Sequence, residues 1–235
     1  MDINITTQEQ TLVSFDWALK GILRDQANFD LLAGFLSALL AEEIQVVTLL
    51  ESDAGQERAA NSNRLDLLVQ DSRGASMIAV LQSSYSSRDL IRLPIEAAHL
   101  IMQHLEAGKR YGVRKVISIR LCHFALGADD ENRDYVYHGV NQFHGQHDGA
   151  YPDREAAIFP EYYLIVPEQF PDEVKNVLDE WIYFFKHGAI LAEFQANQLQ
   201  TARQKLDLRQ LSDAERRDHD LFVLTKAVEQ TVKGP

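Results

Sequence analysis
RLDLLVQDSRGASMIAVLQSS, residues 64–84, is the stretch whose reading decides the fold. Aliphatic and β-branched residues flank the turn formers Asp71-Ser72-Arg73-Gly74, which predicts a hairpin of two strands, Arg64–Gln70 and Ser76–Ser83. Alternate strand side chains point to opposite faces. Asp66 and Leu68 therefore share one face of the first strand, and Ile78, Val80 and Gln82 share one face of the second. An acid and an amide are thus set into an otherwise apolar sheet. Burying an ionised carboxylate costs several kcal/mol unless it is paired or holds a metal, so Asp66 within Leu65-Asp66-Leu67-Leu68-Val69 needs a partner.

Upstream, Thr6 or Thr7 can cap a first helix running to about Arg24, with Leu12, Phe15, Trp17, Leu19, Ile22 and Leu23 on a broad apolar side. Asp16 and Lys20, four apart, read as an exposed helix pair of modest value. Asn28 is a natural N-cap for a second helix whose Leu31, Leu32, Phe35, Leu36, Leu39 and Leu40 repeat at core spacing. Ile44–Leu50 reads as a strand, and residues 51–63 as a polar connection. Glu51 and Asp53 stand there at a strand end, where catalytic acids can sit; as solvated loop charges they need no function.

Downstream of the hairpin, a helix is expected from about Asp89 to Ala107, with Pro94 in its first turns and Gly108 at its end. Glu96, His99 and Gln103 fall on one flank of it. If that flank faces Asp66, Glu96 is placed to supply a second acid; if it faces solvent, the acid is ordinary. Lys109, Arg110, Arg114 and Lys115 surround Tyr111 in the densest basic cluster of the chain, where phosphates could be gripped and a base stacked. Cations after a helix C-terminus are equally favoured by the helix dipole.

Val116–Phe124 reads as a central strand, and Asp134–Phe143 and Ala156–Val166 as further strands, Pro160 suggesting an edge or a break. The sheet then holds five or six strands of mixed direction. His138, His144, His147 and Asp148 match no closed tetrahedral spacing, so a histidine-bearing loop is favoured over a zinc site. Three helices are expected at the end: Pro171–His187, Ala189–Lys205 and Ser212–Val232, the last opened by a Ser212/Glu215 capping box. Trp181, Tyr183, Phe184 and Phe185 form an aromatic patch suited to core packing, although such a helical end can also make a homodimer contact.

With 235 residues, 46% of them hydrophobic, the chain can bury one full core. A formal charge of −12 opposes non-specific attraction to a phosphate backbone, so a nucleic-acid role requires a local basic face. One cysteine, Cys122, allows no disulfide within the chain. Met1–Gln10 lacks the pattern of a signal peptide and no apolar run approaches membrane-spanning length, so the expected setting is cytoplasmic, with no membrane partner.

Taken in order, the motifs resemble the PD-(D/E)XK nuclease family of transposases, which includes the recombination-promoting nucleases. The resemblance is carried by Phe15–Lys20, Asn28–Leu40, Leu65-Asp66, Asp71 with Gly74, Val80-Leu81-Gln82, Gln103–Tyr111, Val116–Ile119, Leu178–Phe185 and Leu211–Arg217. It implies a restriction-endonuclease-like α/β fold, a mixed central sheet flanked by helices. Residues 1–170 would form the nuclease-like core, and residues 171–235 a helical extension packed on the same domain.

It also implies DNA as partner and Mg²⁺ or Mn²⁺ as cofactor, held by Asp66 and the Leu81 carbonyl. Gln82 would orient water or phosphate in place of a lysine. Lys20, in a recurrent motif near the site, and the Lys109, Arg110 and Tyr111 cluster are the candidate nucleic-acid contacts. The departure is Val80, where the family places a glutamate: valine cannot hold a hard cation. Glu96 is the nearest replacement. Three readings follow: a metal-dependent DNA endonuclease of weak or lost activity using Asp66, Gln82 and Glu96; a catalytically silent nuclease fold that binds protein or nucleic acid; and an unrelated α/β protein.

Overall fold
The computed structural model describes residues 12–50, 63–104, 114–126, 134–146 and 159–232. Strand β1 (Ile44–Leu49) pairs antiparallel with β2 (Arg64–Asp71), and β2 with β3 (Ser76–Ser84), so the hairpin forms with one more residue at the end of each strand than its sequence suggests. Asp71 builds the turn: its Oδ1 accepts the backbone N–H groups of Arg73 at 2.9 Å and Ala75 at 2.7 Å. Gly74 follows at φ 79°, a conformation costly for any residue with a Cβ.

β3 then runs parallel to β4 (Lys115–Cys122). The sheet is completed by β5 (Val136–Gly139) and β6 (Glu161–Ile165) in the order β1-β2-β3-β4-β6-β5. β6 is internal, between β4 and β5. Pro160 therefore marks neither an edge nor a break within the strand: it stands just before β6, where its missing N–H costs no ladder bond.

Alternation divides the sheet into two unequal faces. Leu65, Leu67, Val69, Ala79, Leu81, Ile117, Ile119 and Leu121 belong to the main core. That core also takes residues of α1 (Phe15–Ala18), α2 (Phe29–Leu40), and, after α3 (Leu93–Gln103), of α4 (Val177–His187) and α5 (Asn197–Lys205). On the opposite face α3 packs Ala97 and Leu100 on Ile78, Val80 and Val116, a much smaller apolar cluster. Among the described residues the sheet is a six-stranded mixed one flanked by six α-helices, the last being α6 (Asp213–Val232). This is a restriction-endonuclease-like α/β fold.

Several helices are shorter than their patterns. Thr6 and Thr7 lie outside the described residues; α1 is capped instead by Ser14, whose side chain accepts the N–H of Trp17, and it stops at Ala18. The chain then turns through Gly21 into 3₁₀ turns at Ile22–Arg24 and Gln26–Asn28. Asn28 precedes α2 without capping it; its Nδ2 donates to the Ile22 carbonyl. Ser87–Arg92 is 3₁₀, with Pro94 in the first turn of α3, and Ala107 and Gly108 lie outside the described residues. The Ser212/Glu215 capping box does form, Ser212 N–H to Glu215 Oε2 at 2.9 Å and Glu215 N–H to Ser212 Oγ at 3.3 Å.

Trp181 and Phe184 are buried, with Trp181 against Phe35 and Phe184 against Phe15, so the aromatic patch is core. α2 and α5 approach closely at Gly34, where a Cβ would lie 2.6 Å from Gln198 Cγ and 2.7 Å from Gln198 Cβ. Gly34→Ala should improve helix propensity by about 1 kcal/mol yet lower net stability by about 1–3 kcal/mol through overpacking, read as a lower urea midpoint.

Candidate functional site
Asp66 lies opposite Val80, and Val80 beside Ser118; one row along the sheet, Arg64, Gln82 and Arg120 are cross-strand neighbours. All six project from the face that α3 covers. Arg64 holds Asp66 with two parallel bonds, Nε to Oδ1 at 2.6 Å and Nη2 to Oδ2 at 2.9 Å. Its Nη1 lies 3.2 Å from Glu96 Oε2 on α3. Arg120 donates through Nη2 to that same Glu96 oxygen and through Nη1 to Gln82 Oε1.

The result is a closed lattice of two guanidiniums, two carboxylates and one amide. The Arg120 side chain is 1% exposed. Burial lowers both guanidinium pKa values by itself. For Arg64, hydrogen bonding and charge from Asp66, then charge from Glu96, outweigh it, so the group ends above its ordinary value. For Arg120 burial prevails over Glu96, and the like charge of Arg64 adds to the lowering. Arginine keeps its proton throughout the accessible pH range, so the lattice stays charged.

Of the residues singled out in the sequence, Asp66, Gln82 and Glu96 meet here. Glu96 faces inward while His99 and Gln103 are exposed, so the expected flank is split. Leu81 turns its side chain into the main core, and its strand is paired on both sides. Asp16 and Lys20 do not form the expected exposed pair: Asp16 is buried, and Lys20 Nζ sits 4.4 Å from the centre of the Phe222 ring. Lys109, Arg110, Tyr111, Glu51, Asp53, His147 and Asp148 lie outside the described residues. His144 is exposed, whereas His138 stacks on Tyr163 and contacts Glu161, which also takes the Lys115 ammonium.

The sequence reading passed over Arg64 and Arg120. Its available signal was Arg120 inside the apolar run Val116-Ile117-Ser118-Ile119-Arg120-Leu121, a buried cation that needs oxygen acceptors just as the acid Asp66 needs a cation.

A family model described as PD-(D/E)XK nuclease family transposase matches residues 13–220. The chain belongs to this family. No curated protein and no solved structure matches it. PD-(D/E)XK nucleases generally use divalent metals, and the donor set here does not suit one. Both Asp66 oxygens accept from Arg64, one Glu96 oxygen lies between two guanidiniums, and Gln82 Oε1 is taken by Arg120. Val80, 1% exposed, packs its methyl groups among Ile78, Ala97 and Leu100 and offers no ligand atom. Among the described residues no three His, Cys, Asp or Glu side chains are grouped to hold a metal ion. A hard cation needs several free oxygen ligands, and these are committed.

A second charged cluster lies on the other side of β3, one residue from Gln82. Asp16 Oδ1 accepts from Ser83 Oγ at 2.5 Å, while Oδ2 takes Lys226 Nζ at 2.6 Å and pairs with His123 Nε2 at 2.9 Å. The other ring nitrogen of His123 lies 3.4 Å from Glu168, and Tyr85 stacks on the ring. Burial would raise the Asp16 carboxyl, but His123 and then Lys226 hold it far below the usual carboxylate range. Burial would lower His123; the Asp16 charge, helped by Glu168, outweighs it and brings the imidazole up to about 8. Cys122 beside it has its thiol pushed up to about 12, chiefly by burial, so it is no thiolate at neutral pH.

Two predictions follow from these geometries. Arg120→Ala removes the guanidinium on Gln82 and one of the two on Glu96, and should cost about 3 kcal/mol in chemical denaturation. The Arg120→Ala/Glu96→Ala pair should cost less than the two single changes summed. His123 has a folded pKa above its ordinary 6.5, so its stabilisation is complete below 6.5 and lost as pH rises through about 8. An NMR titration of the His123 ring should place its midpoint near that value, and Asp16→Asn should bring it below 6.5.

Proposed function
We propose that this chain is a transposase-related PD-(D/E)XK nuclease-fold protein in which arginines have taken the place of the metal, so that metal-dependent phosphodiester cleavage is weak or lost. The observation that carries this reading is the engagement of Asp66, Glu96 and Gln82 by Arg64 and Arg120, with Val80 buried opposite Asp66. In an active site of this type, paired carboxylates present free oxygens to a cation that lowers the pKa of a bound water. Here the same oxygens are neutralised by fixed guanidiniums that cannot lose a proton or bind water as a metal does. Divalent binding would require breaking a buried ion pair, which costs several kcal/mol.

DNA is the partner class that the family description points to, and the reading retains it for a binding role. With a charge of −12, that role depends on a local basic face, for which Lys109, Arg110 and Tyr111 remain the candidates. Residues 1–170 are proposed as the nuclease-like unit and 171–235 as its helical extension.

Supercoiled plasmid incubated with the protein in Mg²⁺ or Mn²⁺ should show nicking at background, unchanged in Asp66→Ala and Glu96→Ala. Metal-dependent nicking that both substitutions abolish would reject the loss of chemistry and favour the active endonuclease with Glu96 as its second acid. A calorimetric Mg²⁺ titration of the parent chain should show no binding.

A further inference from the structure
Helix α6 is docked by polar contacts rather than by an apolar stripe. Among its described side chains only His219 is buried, and Leu221, Leu224 and Val228 face solvent. A helix held by apolar burial keeps its seat at any ordinary pH; one held by an imidazole does not. His219 is 5% exposed. Its Nε2 accepts the backbone N–H of Ser14 at 3.3 Å, and its ring meets Trp17 edge-on at 5.3 Å. Nε2 can accept only while it carries no proton. Nδ1 is buried without a hydrogen-bond partner, 3.7 Å from Asp220 Oδ1.

Other contacts of α6 reach the same short segment, while Phe222 also packs against the main core, Arg216 Nη2 donates to the Leu208 carbonyl at 3.1 Å and Lys226 Nζ sits 5.9 Å from the centre of the Tyr85 ring. Asp218 accepts from Trp17 Nε1 at 2.8 Å, Phe222 lies under the Lys20 ammonium, and Lys226 reaches Asp16. We propose that α6 is a strap released by mild acid: protonation of His219 ends its acceptor bond to Ser14, frees the helix from the α1 segment, and uncovers Lys20 and Asp16. This goes beyond the proposed function and does not rest on it.

Burial and nearby charge act on His219 in opposite directions, and burial prevails. Burial keeps His219 below its ordinary 6.5, although Asp220 and Asp218 act to raise it. A histidine whose folded pKa is lowered contributes stability that is complete above 6.5 and is lost as pH falls below it. Across that window Asp16 is held ionised and His123, at about 8, is held protonated, so neither changes charge. Neutral His219 is the group that yields. Trp17 and the Ser14 amide, which face it from the N-terminal segment, carry no charge.

A nitroxide at Thr225→Cys reads the strap by electron paramagnetic resonance, since Thr225 is exposed and Cys122 is buried. On lowering the pH from about 7.5 to about 5, the label should become several-fold more mobile while the near-ultraviolet circular dichroism of the core is retained. His219→Gln, which keeps an acceptor for Ser14 and does not titrate, should hold the label immobile throughout. Asp220→Asn should move the transition to lower pH. Constant mobility in the parent, a pH response that persists in His219→Gln, or loss of the core signal in step with the label would each overturn the proposal. Should His219→Gln fail to fold, an unshifted transition in Asp220→Asn rejects it alone.

Discussion
Arg120 carries its charge under all ordinary conditions, yet its side chain is 1% exposed, in the middle of a parallel strand pair. A buried guanidinium is tolerated only where oxygen acceptors surround it, and their supply decides how β2, β3 and α3 are placed. Gln82 is its cross-strand neighbour, Glu96 comes from α3 above, and Arg64 ties Glu96 to Asp66 on β2. The helix on this face has only a small apolar cluster to sit on, so the ionic row fixes its position at the end where that cluster stops.

The same row neutralises the converging carboxylates of Asp66 and Glu96 with groups of the chain itself. In a metal site the cation neutralises converging carboxylates; here two arginines do so from within the sheet. The neutralisation is permanent, because a guanidinium neither dissociates from the chain nor activates water. Val80 fits that arrangement. An acid at this position would crowd negative charge against Asp66, whereas valine completes the packing under Ala97 and Leu100.

β3 carries two unlike clusters on its two faces. Gln82 belongs to the arginine lattice; Ser83, the next residue, turns the other way to Asp16, where His123, Lys226 and Glu168 gather. The second cluster joins the beginning of the chain to its last helix. Histidine enters twice at this junction with opposite shifts: the carboxylates bring His123 up to about 8, and burial against Trp17 lowers His219. The end of the sheet thus sets a cluster built on guanidiniums beside one built on imidazoles.

Local pattern made much of this legible. Period-two alternation gave the hairpin and the common face of Asp66, Val80 and Gln82; the Asp71–Gly74 turn followed from its residue types; and the Ser212/Glu215 box marked the start of α6. These features depend on neighbours within a few residues, which a sequence displays directly. The family likeness rested on their order. What tertiary structure alone decided is who neutralises whom. Asp16 and Lys20 are four apart and suggest each other, yet Asp16 pairs with Lys226, 210 residues away, and Lys20 rests on Phe222. Asp66 suggested a cation from solution, and it received Arg64 from its own strand, with Arg120 brought alongside by the parallel register of β3 and β4. Charge pairing acts through space with no sequence period, so the acids could be found by reading the chain, and their partners only by folding it.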